Sequence, residues 1–191
     1  YSGNDDFTYG GTGRLGQGFA GRQDDTPFDG EMAEVRMWKT ERTAVEIYEN
    51  FRRKLTGSEP GLAALWNFDD ETMRDATAYR RDGKMVGLVK VGPPVTSSVA
   101  NAAVPGLPSR NGVLALDGQG SYVELPAEIL RGLSETTIEG WVRWDQFRED
   151  PRFFSFGKGD CRLGLMYNGT EDLVKSYLDN YLKMDEDDSA V

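Results

Sequence analysis

Between Glu31 and Trp38 the side chains alternate. Ala33, Val35 and Met37 fall on one face of an extended chain, and Glu34, Arg36 and Trp38 fall on the other. A period of two is the signature of a strand with one face buried. The pattern recurs at Leu62–Phe68, where Leu62, Ala64, Trp66 and Phe68 alternate with Ala63, Leu65 and Asn67, and at Thr136–Trp144, where Ile138, Gly140, Val142 and Trp144 oppose Thr137, Glu139, Trp141 and Arg143. Shorter runs at Arg14–Phe19, Lys84–Val89, Phe153–Phe156 and Arg162–Tyr167 also read as strands, and Val113–Leu116 with Ser121–Leu125 reads as a hairpin about Asp117-Gly118-Gln119-Gly120. Gly- and Asp-rich stretches such as Gly10-Gly11-Thr12-Gly13, Asp24-Asp25 and Phe28-Asp29-Gly30 punctuate them as loops and turns. Many short strands, each with a face to bury, are accommodated by two antiparallel sheets packed face to face. The fold class expected is therefore an all-β, two-sheet sandwich.

Two segments carry helical spacing instead. Thr43 and Glu46 have the separation of a capping box, and Ile47, Phe51 and Leu55 follow on one stripe. Gly57 and Pro60 stop the run, so the spacing predicts a helix over 44–55. Arg52-Arg53-Lys54 then suit its negative pole. Near the end, Leu173, Tyr177 and Tyr181 with Val174, Leu178 and Leu182 predict an amphipathic helix over 171–183, followed by a solvated acidic run at Asp185–Asp188. Residues 92–112 hold four of the eight prolines and read as an irregular connection.

Composition removes whole classes of chemistry. The 191 residues contain no His and a single Cys, Cys161, which excludes a Ser-His-Asp triad, an imidazole proton shuttle, His-ligated zinc and any intramolecular disulfide. With 22 Lys and Arg against 32 Asp and Glu the net charge is −10, which argues against a nucleic-acid partner. No apolar run has the length of a membrane helix, so no membrane insertion is expected. The negative charge is uneven: half of the acids lie in 111–191, whereas 61–110 has a slight excess of cations.

Three segments together resemble the laminin-G-like jelly rolls of the concanavalin A-like lectin/glucanase superfamily. Phe28-Asp29-Gly30-Glu31-Met32-Ala33-Glu34-Val35-Arg36-Met37-Trp38, with the Thr43 helix behind it, is similar to the closing part of such a module. Pro60-Gly61-Leu62-Ala63-Ala64-Leu65-Trp66-Asn67-Phe68-Asp69 is similar to the opening strand of the next. Leu114-Ala115-Leu116-Asp117-Gly118, Tyr122-Val123-Glu124-Leu125-Pro126 and Thr137-Ile138-Glu139-Gly140-Trp141-Val142 are similar to the strands that follow. The order implies that 1–60 is the C-terminal part of one module and 61–191 the N-terminal part of a second, together one permuted jelly-roll sandwich.

The resemblance implies a non-catalytic recognition or adhesion module, exported to the cell surface, periplasm or exterior as part of a larger chain, that binds a glycan or a protein surface. The alternatives are a structural spacer or sensor ectodomain without its own ligand and, behind it, a glycoside hydrolase. Hydrolases of the superfamily need paired carboxylates. Glu31 and Glu34, three apart, fall on opposite faces of a regular strand, and Glu139 stands alone, so no catalytic residue is assigned. The superfamily's structural calcium would fall at Asp69, but its second acid is replaced by Ala33; Asp117, like Asp5-Asp6, Asp24-Asp25 and Asp69-Asp70, qualifies by residue type in an Asp/Gly loop. Of the four Trp, Trp141 and Trp144 point oppositely, so one must face outward. Trp144, with Arg143 and Asp145 beside it, is the expected ligand platform. Cys161 reads as a buried thiol, and Asn168-Gly169-Thr170 has the spacing of a glycosylation acceptor.

Overall fold

A computed structural model describes residues 12–18, 26–93, 112–127, 129–146, 148, 150–158, 161–168 and 173–180. Strands β1 (Thr12–Leu15), β2 (Asp29–Trp38), β3 (Leu62–Trp66), β4 (Lys84–Val86), β5 (Lys90–Gly92), β6 (Val113–Asp117), β7 (Tyr122–Leu125), β8 (Thr137–Trp144), β9 (Arg152–Lys158), β10 (Cys161–Asn168) and β11 (Leu173–Asn180) build two sheets, with one helix, α1 (Ala44–Asn50). One sheet has the order β11-β10-β9-β1-β7-β4. The other has β3-β2-β6-β5, with β8 also on β2. Every pairing is antiparallel, and the sheets pack as an all-β sandwich compatible with a jelly roll.

β2 organises the second sheet. Asp29–Met32 pair with β6 and Val35–Trp38 with β3, while β8 runs along both halves. A strand has two edges, so β6 and β3 must lie end to end on one edge and β8 on the other. In the first sheet β1 lies between β9 and β7. The core between the sheets is filled by Leu15, Phe28, Met32, Val35, Met37, Trp66, Phe68, Leu114, Val123, Leu125, Phe153, Phe154 and Phe156. Each such side chain contributes about 1.5–3 kcal/mol on burial. A smaller cluster of Trp38, Leu55, Leu62 and Leu65 lies apart from it, beneath the chain that follows α1.

Several expectations need correction. The segments 113–116 and 121–125 do not pair with each other. β6 bonds to β2 and β5 in one sheet, and β7 to β1 and β4 in the other. The turn at Asp117–Gly120 carries the chain across the sandwich. The run Lys84–Val89 likewise divides, with β4 pairing β7 and β5 pairing β6. Thr12 and Gly13 are strand rather than loop. Gly13 lies under the Phe156 ring, where an added Cβ would come within 2.3 Å of it, so only glycine fits the sheet there.

The helix expected over 171–183 is a strand. β11 pairs residue for residue with β10, from Asn168↔Leu173 to Cys161↔Asn180. Val174 and Tyr177 suit a strand as well as a helix, and a full ladder beside β10 outweighs a local i, i+4 stripe. Helix α1 begins where expected, with the Thr43–Glu46 capping box formed, but ends at Asn50, so Arg52-Arg53-Lys54 follow it instead of filling its last turn. The pairs Asp5-Asp6 and Asp24-Asp25, residues Gly169 and Thr170 of the glycosylation motif, and the side chain of Cys161 lie outside what is described.

Candidate functional site

The chemistry-bearing side chains gather on the outer face of the β2–β8 pair. A bulge puts them there. Ala33 pairs with Trp141 and Arg36 with Glu139, so Glu34 and Val35 together oppose Gly140. Glu34 takes a left-handed φ of 51° to make room for the extra residue. Side chains therefore change phase along β2. Met32 on one side of the bulge and Val35 and Met37 on the other all reach the core. Glu34 and Arg36 stay on the outer face, where Glu31 also pairs with Arg143.

Arg36 is the hub of this face. It is 2 % exposed, and its Nη2 lies 3.1 Å from Glu34 Oε2 and its Nη1 3.5 Å from Glu139 Oε1. The guanidinium also donates to the carbonyls of Asn50, at 3.0 Å, and Arg53. Those carbonyls belong to the end of α1 and the turn after it, where the helical ladder has run out; Asn50 O also accepts from Arg53 N–H at 2.9 Å. Trp141 Nε1 donates to Phe51 O at 3.2 Å, so strand β8 holds the same turn. Trp38 Nε1 donates to Glu139 Oε1 at 2.9 Å. Burial pushes the Glu34 carboxyl above its ordinary value, against the pull of the Arg36 hydrogen bond. Both acids are thus tied to one cation, an arrangement that anchors the helix end to the sheet.

Above this network is a cleft of about 160 Å³ lined by Glu34, Arg36, Ile47, Phe51, Glu139, Gly140 and Trp141. Trp141 stacks on Phe51 at 5.5 Å between centroids and 30° between planes. A second cleft, of about 170 Å³, lies on the other side of Trp141 and includes Glu31, Ala33, Val113 and Arg143. Trp141 is therefore a fixed aromatic ridge between two hollows.

The expected platform is divided by the sandwich. Trp144 packs inward against the core, 5.7 Å from Phe28 and 6.2 Å from Tyr167 between centroids, and Trp141 is the outward Trp of the pair. The two faces of β8 are thus the reverse of those expected. Arg143 and Asp145 do come together, at 3.0 Å, and Arg143 also reaches Glu31 at 3.3 Å. Regular periodicity groups Glu34 with Arg36 but joins neither Glu31 nor Phe51 to them, because the bulge and the helix turn that do so have no regular period.

Asp69 and Asp117, each expected as a metal ligand by residue type or position, lie apart and make other contacts. Asp69 pairs with Lys54 Nζ at 2.6 Å. Asp117 accepts from Ser121 Oγ at 2.7 Å and Gln119 N–H at 2.9 Å, which hold its carboxyl below its ordinary value. The Phe68 carbonyl abuts Gly112 at the start of β6, whereas Asp117 closes that strand. The length of β6, about 13 Å at about 3.3 Å per residue, separates the two acids. Among the described residues no group of three His, Cys, Asp or Glu is placed to hold a metal.

No protein-family model, no curated protein and no solved structure matches this chain. What the face can do follows from its own residues: an aromatic ridge with charged groups already held in place on either side, a surface suited to contact and hydrogen bonding.

Proposed function

We propose that the protein is a non-catalytic recognition or adhesion module of the laminin-G-like, concanavalin A-like type, exported as part of a larger chain, that binds an extended glycan along the outer face of β2 and β8. The observation that carries this reading is the Trp141 ridge with a cleft on each side. Two hollows of similar size flanking one indole suit consecutive rings of a chain ligand. The indole supplies an apolar platform, and Glu34, Glu139, Arg143 and Asp145 supply fixed acceptors and donors around it. The ridge is held by Phe51 on its ring and at its Nε1, so little ordering is left for binding to offset. The order of the three family-like segments supports reading 1–60 and 61–191 as pieces of successive modules folded as one permuted sandwich.

The test is a screen against neutral plant, algal and host glycans, followed by titration calorimetry. Binding is expected, and Trp141→Ala should weaken it at least tenfold, about 1.4 kcal/mol. Trp141→Tyr, which keeps a ring on Phe51, should retain part of the affinity. A blank screen would replace the reading with that of a structural spacer. Release of reducing ends from a bound glycan, lost in Glu139→Gln, would replace it with a hydrolase.

A further inference from the structure

We infer that the loop 74–84, together with Lys39 at the end of β2, forms a second binding site, for the anionic group of an acidic saccharide such as a uronate carboxylate or a sulfate ester. It shares no lining residue with the Trp141 clefts and does not depend on that reading.

The loop is drawn tight around one buried acid. Asp75, 0 % exposed, accepts from the backbone N–H groups of Leu65, Thr77 and Arg81 and from the Thr77 hydroxyl, and Gly83 N–H donates to Met73 O across the loop's neck. All of the acceptor capacity Asp75 shows is turned inward. What the loop presents to solvent is mostly cationic, with one exposed acid, Asp82, whose Oδ1 accepts from the Asp75 N–H at 2.9 Å. Arg74, Arg80 and Lys84 are exposed and Arg81 is half-buried, and among the described residues none of them, nor Lys39, has a carboxylate within 4.0 Å. In a chain of net charge −10, Lys39 and Arg81 on one ring, with Arg80 next to Arg81 in the chain, are a local excess of cation, while Lys84 lies opposite Glu124.

Tyr79 sits among them, 51 % exposed. Lys39 Nζ donates to its phenol oxygen and lies 4.0 Å from the ring centroid, and the Arg81 guanidinium carbon lies 4.8 Å from it. Arg81 is further fixed by its bond to Ala63 O at 3.0 Å. The two cations are thus positioned by an aromatic ring instead of an acid, which leaves their charge uncompensated. The phenol, accepting from Lys39, keeps its own O–H to donate outward. Arg80 takes a left-handed φ of 54°, a conformation that costs a non-glycine residue and holds the turn in shape. The Lys39 ammonium, the Arg81 guanidinium and the Tyr79 phenol, held at one ring, match a carboxylate or sulfate on a sugar. Acids elsewhere on the chain disfavour longer polyanions, because repulsion acts over about 10 Å at moderate salt.

The experiment titrates the whole chain with a heparin-derived hexasaccharide and with trigalacturonate, using cellohexaose as the neutral control, in about 20 mM and about 300 mM salt. At least one anionic probe should bind, with affinity falling several-fold at the higher salt. Lys39→Gln/Arg80→Gly should weaken it at least tenfold, the glycine keeping the positive φ, and Tyr79→Phe should weaken it several-fold, while Trp141→Ala leaves it unchanged. Absence of binding by both probes, equal binding by the double variant, or equal binding to duplex DNA or phosphatidylserine vesicles would overturn the proposal. Loss of cellohexaose binding in Trp141→Ala with the anionic binding intact would support two separate sites, and loss of anionic binding in that variant would overturn this one.

Discussion

Replacing Arg36 by Met should be the most informative single change in this molecule. Methionine fills similar space but removes the charge and every donor. Glu34, whose side chain is 7 % exposed, would lose its partner at 3.1 Å, and the Arg53 carbonyl would lose its side-chain donor, while Asn50 O would keep Arg53 N–H. Glu139 would keep Trp38 Nε1. Leaving one buried charge unpaired costs about 3–5 kcal/mol, a large part of the ~5–15 kcal/mol available to a domain. The melting temperature should fall by about 6–20 °C. The loss should also depend on pH in a defined direction. The Glu34 carboxyl is already raised above 4.5 by burial, and Arg36 is what pulls it down. Without Arg36 it rises further. A carboxyl with a raised folded-state pKa favours the fold while protonated, and that contribution is lost as pH rises from 4.5 through the raised value. Arg36→Met should therefore be closest to the parent at about pH 4.5 and furthest from it near pH 7. Glu34→Gln/Arg36→Met, which removes the orphaned charge, should recover much of the difference. Urea unfolding followed by Trp fluorescence reads all three. A cost below about 1 kcal/mol near neutrality, or one that does not narrow in acid, would refute the argument that Arg36 compensates a buried carboxylate.

Thr43→Ala removes the hydroxyl that accepts from Glu46 N–H and should cost about 1 kcal/mol in urea unfolding. Asp117→Asn should flatten the acid limb of the stability curve: the carboxyl is held low by Ser121 and Gln119, so its contribution is present above pH 3.8 and lost as pH falls, and urea midpoints from about pH 3 to about pH 6 would show a reduced slope. Residues 61–191 produced alone should not unfold cooperatively, because β1 and β2 lie inside the two sheets; adding 1–60 should restore the near-ultraviolet dichroism, and a cooperative melt of 61–191 alone would contradict the pairing.

Strand positions were largely legible because burial on one face writes a period of two into β2, β3 and β8, and the Thr43–Glu46 spacing marks the start of α1 without ambiguity. Pairing was not. Val113–Leu116 and Ser121–Leu125 carry the pattern of a hairpin, yet that pattern states only that each strand has a buried face, not which neighbour bonds to its edge. The choice of β2 for β6 and of β1 for β7 is made by partners more than about 80 residues away in sequence. The tail misled for a related reason. Leu173 to Asn180 satisfies helical spacing locally, and only the ladder offered by β10 decides against it.

The site was hidden by a single inserted residue, and its trace is present in the sequence. With strict alternation Met32 would share a face with Glu34 and Arg36, and Val35 and Met37 would share one with Glu31. A strand of this sandwich cannot bury Val35 and Met37 and also leave Met32 in water, nor bury Met32 and send Glu34 into the core. The apolar positions 32, 35 and 37 fit one face only if the phase slips once between them, and the acids 31 and 34 then fall together on the other. That slip is the bulge opposite Gly140. It turns two acids that regular geometry would separate into members of one outer face, brings Arg36 between Glu34 and Glu139, and gives the end of α1 something to bind. The helix turn then presses Phe51 against Trp141 and walls the cleft. A break in the hydrophobic phase of an otherwise regular strand is thus the local signal that points to the candidate site, more directly than the aromatic and acidic residues themselves.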